Sequence, residues 1–464
     1  MATLIEQKPL YSQLPVGQEV IFVVSNTPIL SNHIFTNFRF IADVYISDTI
    51  PTSISSTSTP TATFKTAPNN ASVGIFDFKQ VVENYVSADN MAANQSKYKT
   101  TLTTDDTPHP LHLINQYSRN KKTARWLTIQ FKTQYFDTQF NETEVVDLQN
   151  SIDYQIFNGY LKYTDELSIY NNDFGFSLTN FNLSSPSDKF LTNAPPTQYA
   201  NLEDYGTFAY LAPTDDLSYI QLIYKNSSDV QIGTEDVDRT LANGSYNTFS
   251  TKISERLLFF GCFPANLQNW SSTFQALVSP VDQISGGSIE VRAFNVSNNA
   301  ISKTYTINVN CPNLKGYESI RLCWLNQWGA WDYYTFTQKS VRSISTKGST
   351  YEQLAGTWNE AAYRVDSYKG GKKAFRVNAT EKIKMNTDFV SESENEMFEE
   401  LINSPEVYIL EGYQTDVSFS ALNQYVKPVR LTTSSFVKKT VANDKLIQYT
   451  FEVEKSKTLR TQSV

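Results

Sequence analysis

Histidine, cysteine, basic tracts and long apolar runs are what this 464-residue chain has little of, and each shortage removes a class of function. The three histidines, His33, His109 and His112, leave few candidates for a nucleophile triad, and no Gly-x-Ser-x-Gly elbow accompanies them. His109-Pro110-Leu111-His112 is the one close pair. Its internal proline works against the helix that would aim both rings at one zinc ion, and no Cys or HExxH context lies nearby, so a surface turn is the simpler reading. Cys262, Cys311 and Cys323 form no CxxC pattern and cannot all pair within one chain, as expected of reduced structural thiols in a protein made in a cytoplasm. The sequence does not open on a basic segment followed by an apolar one, and no apolar run reaches the length of a membrane span, so no membrane insertion is expected. Asn120-Lys121-Lys122 and Gly371-Lys372-Lys373 are isolated basic pairs in a chain of net charge -8, which argues against nucleic acid as a direct partner. Gly370-Gly371-Lys372-Lys373 lacks the spacing of a phosphate-binding loop and reads as a loop tip. No cofactor and no metal are expected.

What is abundant is aromatic and polar. Aromatics reach 13% while charged residues stop at 19%, a profile of β-rich proteins with polar surfaces. The length predicts about two to four domains. In the N-terminal third, QEVIFVVSN and NFRFIADVYISD read as strands of a half-buried sheet, with Phe38, Phe40, Ala42, Val44 and Ile46 in partial alternation. TIPTSISSTSTPT follows as a long hairpin loop before the strand TATFKTAP. Phe78, Val81, Val82, Tyr85 and Val86 then fall at helical spacing behind Asp77 as N-cap, predicting a short amphipathic helix. ARWLTIQFKTQYFD and YQIFNGYLKY resume the strand pattern, and a first β-sandwich domain over 1–170 is expected.

From residue 186 to 353, DYGTFAYLA, SYIQLIYKN, ERLLFFGCF, SIEVRAFNV and KTYTINVNC recur between turns such as Asn226-Ser227 and Gly286-Gly287, the pattern of an immunoglobulin- or fibronectin-like sandwich. The last stretch, 370–464, changes texture. Ser391 and Glu394 make a capping box ahead of Met397, Phe398, Leu401 and Ile402 on one helical face, Pro405 stops that helix, and EVYIL, PVRLTTSSFVKKT and KLIQYTFEVEKS supply a small antiparallel sheet. The fold class is therefore mainly β: multi-domain β-sandwiches with a short helix in the first domain and a small C-terminal α+β unit.

Carboxylate pairs are the residues that glycoside hydrolysis would need. Asp215-Asp216 and Glu235-Asp236 are adjacent, and adjacent residues on a strand point to opposite faces, so neither pair alone flanks one bond as acid and nucleophile. RLCWLNQWGAWDYYTF is the densest aromatic stretch: Ile320, Leu322 and Trp324 alternate on one arm of a hairpin, Asn326 to Ala330 turn, and Trp331, Tyr333 and Thr335 alternate on the other. The alternation sends Trp324 and one of Trp331 or Tyr333 to the core. Trp324, Trp328, Trp331, Tyr333 and Tyr334 together form the candidate interaction surface, for packing between subunits or, as the alternative, for stacking on sugar rings.

Three patches, in order along the chain, carry a resemblance. They are NFRFIADVYIS with TATFKTAPNNASVGIFDFKQVVENYV; LNQWGAWDYYTFTQKS (Leu325 to Ser340); and EKIKMNTDFVSESENEMFEELINSPEVYIL with NDKLIQYTFEVE. The sequence resembles virion structural proteins of tailed bacteriophages infecting Bacteroidetes-type bacteria, including crAss-like phages. That resemblance implies a non-enzymatic tail-tip, baseplate or tail-ring subunit, made in the host cytoplasm and located in the virion. Its partners would be copies of itself in a ring-like homo-oligomer and other tail proteins, and it transfers no catalytic residues. A host-surface glycan-binding tail module is the alternative and a tail-borne glycan hydrolase the third reading. The segment from Thr49 to Thr61 and the acidic stretch from Glu392 to Glu400 are candidate contact regions.

Overall fold

The computed structural model describes residues 3–47, 54, 58–88, 117–119, 123–170, 176–211, 217–238, 257–310, 316–411, 425–440, 446–457 and 459–460. His109, His112, Asp215, Asp216, Cys311 and most of the Thr49 to Thr61 segment lie outside them. The protein is mainly β, with several sheets and short helices. Of the described residues, those within 1–312 and 325–333 form one compact unit, and those within 313–324, 334–411 and 424–464 form a second.

The first unit opens with two sheets packed face to face. One orders β1 (Leu4–Gln7), β3 (Ile21–Ser25) and β6 (Val73–Asp77); the other orders β2 (Gln13–Pro15), β10 (Tyr154–Phe157), β8 (Ala124–Asp137), β4 (Phe35–Ser47) and β5 (Ala62–Thr66), with β9 (Glu142–Asn150) also on β8. Aromatics hold them together: Phe22 of β3 meets Phe131 of β8 at 5.5 Å and Tyr154 of β10 at 5.7 Å. β4 pairs antiparallel with β5, as the hairpin reading of the Ser/Thr spacer requires. The centre of β4, 40–44, is buried on both faces rather than half-buried, and the one charge there, Asp43, is met by Lys132 at 2.5 Å.

The expected helix is present but brief. α1 (Thr27–Leu30) precedes it, and α2 (Lys79–Val82) continues as a single 3-10 turn to Tyr85. Asp77 accepts the Lys79 amide at 3.0 Å and also the Val20 amide, so the residue read as N-cap is divided between the helix start and the sheet. Phe78, Val82 and Val86 are buried, whereas Tyr85 is exposed.

After α3 (Tyr163–Glu166), a second pair of sheets follows in the same unit. β11 (Thr197–Ala200), β17 (Tyr305–Val309), β16 (Ser288–Phe294), β13 (Tyr219–Lys225) and β14 (Gln231–Asp238) make one; β12 (Thr207–Leu211), β15 (Leu257–Gly261) and β7 (Tyr117–Arg119) make the other. Period-two burial is clean here, with Ile220, Leu222 and Tyr224 of β13 beside Ile289, Val291 and Ala293 of β16 in one core with Phe208, Phe260 and Phe263. α4 (Pro264–Trp270) and α5 (Ser272–Val278) cover it, α5 being capped by Ser271, whose Oγ accepts the Phe274 amide at 2.9 Å. Because β7 precedes residue 170 and pairs with β15, the expected boundary near 170 to 186 does not separate two compact units.

The second unit draws on an eight-stranded sheet ordered β19 (Trp331–Phe336, of which residues 334–336 belong to this unit), β18 (Ile320–Leu325), β22 (Val407–Leu410), β23 (Val426–Leu431), β24 (Thr450–Lys455), β21 (Gly371–Asn386) and β20 (Val341–Gln353), with β25 (Leu459–Arg460) also on β21. α6 (Asn395–Asn403) lies behind the Ser391–Glu394 capping box, both hydrogen bonds of which are formed, and buries Met397, Phe398 and Leu401. Phe398 packs at 5.3 Å on Phe451 of β24. The C-terminal helix and sheet are thus as expected, but the sheet is larger. The aromatic hairpin contributes strands to it, and β20 pairs with β21 along its whole length, with one bulge between Ser349 and Thr350 where Phe375 is passed over. A second domain ending at 353 and a third beginning at 370 are corrected accordingly: Gln353 pairs with Gly371, so one ladder runs across the expected boundary.

Candidate interaction site

The five aromatics singled out in the hairpin do not form a surface. Trp324, Trp328, Trp331 and Tyr333 are buried and Tyr334 is half-buried. In the first unit, the turn is fastened by Asn326, whose Oδ1 accepts the amides of Trp328 and Ala330 at 3.0 Å while its Nδ2 donates to the Leu191 carbonyl. Trp328 lies 4.2 Å from the Phe181 ring and stacks with Phe176, its indole N–H donating to Asn193 at 3.3 Å. Tyr333 packs on Phe263 and shares a hydrogen bond with Thr207. Gly329, at φ +71, closes the turn so near the Asn158 carbonyl that a Cβ there would come within 1.8 Å of its oxygen. Asp332 is buried beside Thr192, whose hydroxyl donates to it at 2.6 Å; burial raises its carboxyl to about 6, against the lowering pull of Thr192 and Asn326. In the second unit, Trp324 is fully buried on β18, and Tyr334 meets Phe336 and Phe398 edge-on. The reading of these residues as an interaction surface, with sugar or with subunits, is therefore corrected: they are core. Strand alternation identified part of this, but nothing in it revealed that the turn itself would be buried.

Glu235 and Asp236 diverge as adjacent strand residues must. Glu235 accepts from Ser271 at 2.5 Å and from Tyr224 at 3.1 Å, whereas Asp236 accepts from Gln221 at 2.9 Å. Cys262 and Cys323 are buried thiols, their ionisation pushed up by desolvation. Among the described residues, no three His, Cys, Asp or Glu side chains gather as a metal site, and no helix is long and apolar enough to cross a membrane.

The exposed apolar surface lies elsewhere, on the β20–β21 ribbon. Its thirteen-residue strand β20 extends about 40 Å at roughly 3.3 Å per residue. At the root, Ala379, Ile383 and Met385 of β21 are buried and β24 pairs with β21 from Lys382 to Asn386. Arg342 there bridges Glu318 and Glu381, while Lys455 at 2.8 Å and Arg342 hold the Glu381 carboxyl below its ordinary range. Among the described residues, β21 from Gly371 to Val377 has only β20 beside it, and β20 is exposed continuously over 341–350. The ribbon is an arm standing off the sheet.

Its tip is shaped by its own hydrogen bonds. The Asp366 amide donates to the Ala355 carbonyl and the Thr357 amide to the Arg364 carbonyl, both at 3.0 Å. The Thr357 hydroxyl donates to the Ala362 carbonyl and accepts the Arg364 amide, both at 2.8 Å. Tyr363 lies directly on Gly356, where a Cβ would meet the ring at 2.1 Å, and Trp358 sets its edge on Tyr363 with centroids 5.4 Å apart. Lys373 ties the base by donating to Gln353 and to the Tyr368 carbonyl. Yet Trp358 is 64% exposed, Tyr363 59% and Tyr368 74%, and Leu354, Val365 and Phe375 are exposed with them. Single exposed apolar residues need no explanation; six large ones within 22 residues on an ordered tip do. The arm, 341–377, carries seven basic and three acidic side chains, net +4; with -8 for the whole chain, the remainder carries -12.

Compared with known proteins, the chain matches no protein-family model and no curated protein.

Proposed function

We propose that the chain is a structural, non-enzymatic subunit of a bacteriophage tail, a tail-tip, baseplate or tail-ring component that associates with copies of itself and with other virion proteins. The observation that carries this reading is the arm: a long two-stranded ribbon, anchored in a sheet, that presents ordered aromatics to solvent at its far end. Such an element reaches toward a neighbour and offers it area, which is what a particle subunit needs. The aromatic-rich sheets behind it suit a body that has to hold its shape without a cofactor, and the resemblance of three patches to phage virion proteins points the same way. Immunogold labelling tests the reading, with an antibody raised to the purified chain and applied to particles of the phage that encodes it. Gold confined to tails is expected. Particles free of gold, with all reactivity left in the soluble lysate, overturn the proposal.

A second reading, recognition of a host-surface glycan, is favoured by one observation: the exposed Trp358–Tyr363 pair offers ring faces on which a sugar would stack. Glycan-array binding that disappears in Trp358→Ala supports it; an array without signal removes it.

A further inference from the structure

We infer that the arm docks on a second copy of this chain, with its aromatic tip as the peg and an acidic face of the neighbour as the receiver. This rests on the structural-subunit reading and names the partner of the same arm. One observation selects a second copy and two more fit the arm for docking. The first is charge: the arm is net +4 on a chain whose remainder is net -12, so the arm of one copy is attracted to the body of another. The second is preorganisation. Thr357, Gly356 and Tyr363 hold the tip in one shape before any partner arrives, so little ordering entropy opposes docking. The third is reach. The outer half of the ribbon, 348–353 with 371–377, is free of the sheet that anchors its root, which puts Trp358 and Tyr363 beyond a spacer about 20 Å long at roughly 3.3 Å per residue, the geometry for contacting another subunit.

Arm and receiver are different patches on one molecule. The contact is therefore heterologous, and it generates a ring where the rotation closes and a filament where it does not. The apolar tip supplies affinity as large aromatics do at the centre of interfaces, and the basic flanks, Lys369, Lys372, Lys373 and Arg376, supply attraction that weakens with salt.

The test uses the full chain. Sedimentation velocity over a wide concentration range, at low and raised salt, compares the wild type with Trp358→Ser/Tyr363→Ser/Tyr368→Ser and with Lys372→Glu/Lys373→Glu/Arg376→Glu. Concentration-dependent assembly of the wild type is expected, weakened at least about tenfold in the aromatic variant. The charge variant should weaken it too and lose most of the salt dependence. None of the six substituted residues is buried, so an unchanged circular dichroism spectrum and urea midpoint separate lost docking from lost folding. A benzophenone amino acid at position 358 supplies a second readout: photocrosslinks to an acidic segment of another copy are expected. Assembly that is equally strong in both variants overturns the inference and leaves a tail role standing. So does a wild type that stays monomeric throughout. Capture of glycans or of anionic lipid vesicles by the tip, without self-association, likewise overturns it and reassigns the tip.

Discussion

Replacing Asp332 with asparagine should stabilise the first unit at neutral pH and do nothing at low pH. The carboxyl is buried, Thr192 supplies its short hydrogen bond, and burial raises its ionisation from 3.8 to about 6. The unfolded chain therefore protonates this group near 3.8 and the folded chain near 6, so the folded state binds the proton more tightly. Its contribution is most favourable below 3.8 and is lost as pH rises through 6; above that, the buried carboxylate costs the fold about 3 kcal/mol, from roughly two units at 1.36 kcal/mol each. Asparagine is neutral throughout and keeps an oxygen for the Thr192 hydroxyl. Urea unfolding followed by tryptophan fluorescence, run on both proteins at about pH 8 and about pH 4, reads the difference. The Asp332→Asn midpoint should exceed the wild type at pH 8 by the equivalent of up to about 3 kcal/mol and match it at pH 4. A difference of the same size at both pH values refutes the reasoning, because only a titrating carboxylate makes it depend on pH.

Two further outcomes follow from geometry alone. Gly329→Ala should lower the unfolding midpoint of the first unit by more than about 1 kcal/mol, since the residue needs a positive φ and its Cβ would strike the Asn158 carbonyl; an unchanged midpoint contradicts the close approach. Ser391→Ala should cost the second unit about 1 kcal/mol by removing the capping box of α6, measured as a lowered thermal midpoint, with the first unit's transition left where it was.

The parts of the fold legible in the sequence are those in which a local signal and the tertiary environment agree. The β13 and β16 segments alternate because one face of each is buried and the other is not, and Ser391 with Glu394 announces α6 because a capping box is satisfied within four residues. β4 misled in degree, since its centre is covered on both sides and alternation carries no information there. The candidate site was misplaced for a physical reason. Aromatic density marks core and interface alike, and only three-dimensional neighbours distinguish them: Phe176, Phe181 and Asn193 bury Trp328, and all three are far from it in sequence. The arm was illegible for the converse reason. VRSISTKGSTYEQ has little apolar content, a central lysine and a glycine, so β20 looks like a loop, and the 354–369 tip that follows it looked like the space between two domains. Its order comes from a thirteen-residue register with β21, a pairing that no short window of sequence displays.

The path of the chain through its two units has a consequence for biosynthesis. Residues 325–333 belong with the first unit, although the segments before and after them, 313–324 and 334–411, belong with the second. A nascent chain stalled at residue 310 therefore holds an unfinished body. Thr192, Asn193 and the Leu191 carbonyl still await Asp332, Trp328 and Asn326, and the amide of Tyr160 awaits the carbonyl of Gln327. Maturation of the first unit must wait until the ribosome has passed residue 333, so a gene cut anywhere between codons 310 and 333 yields a fragment missing part of its own interior rather than a shorter protein.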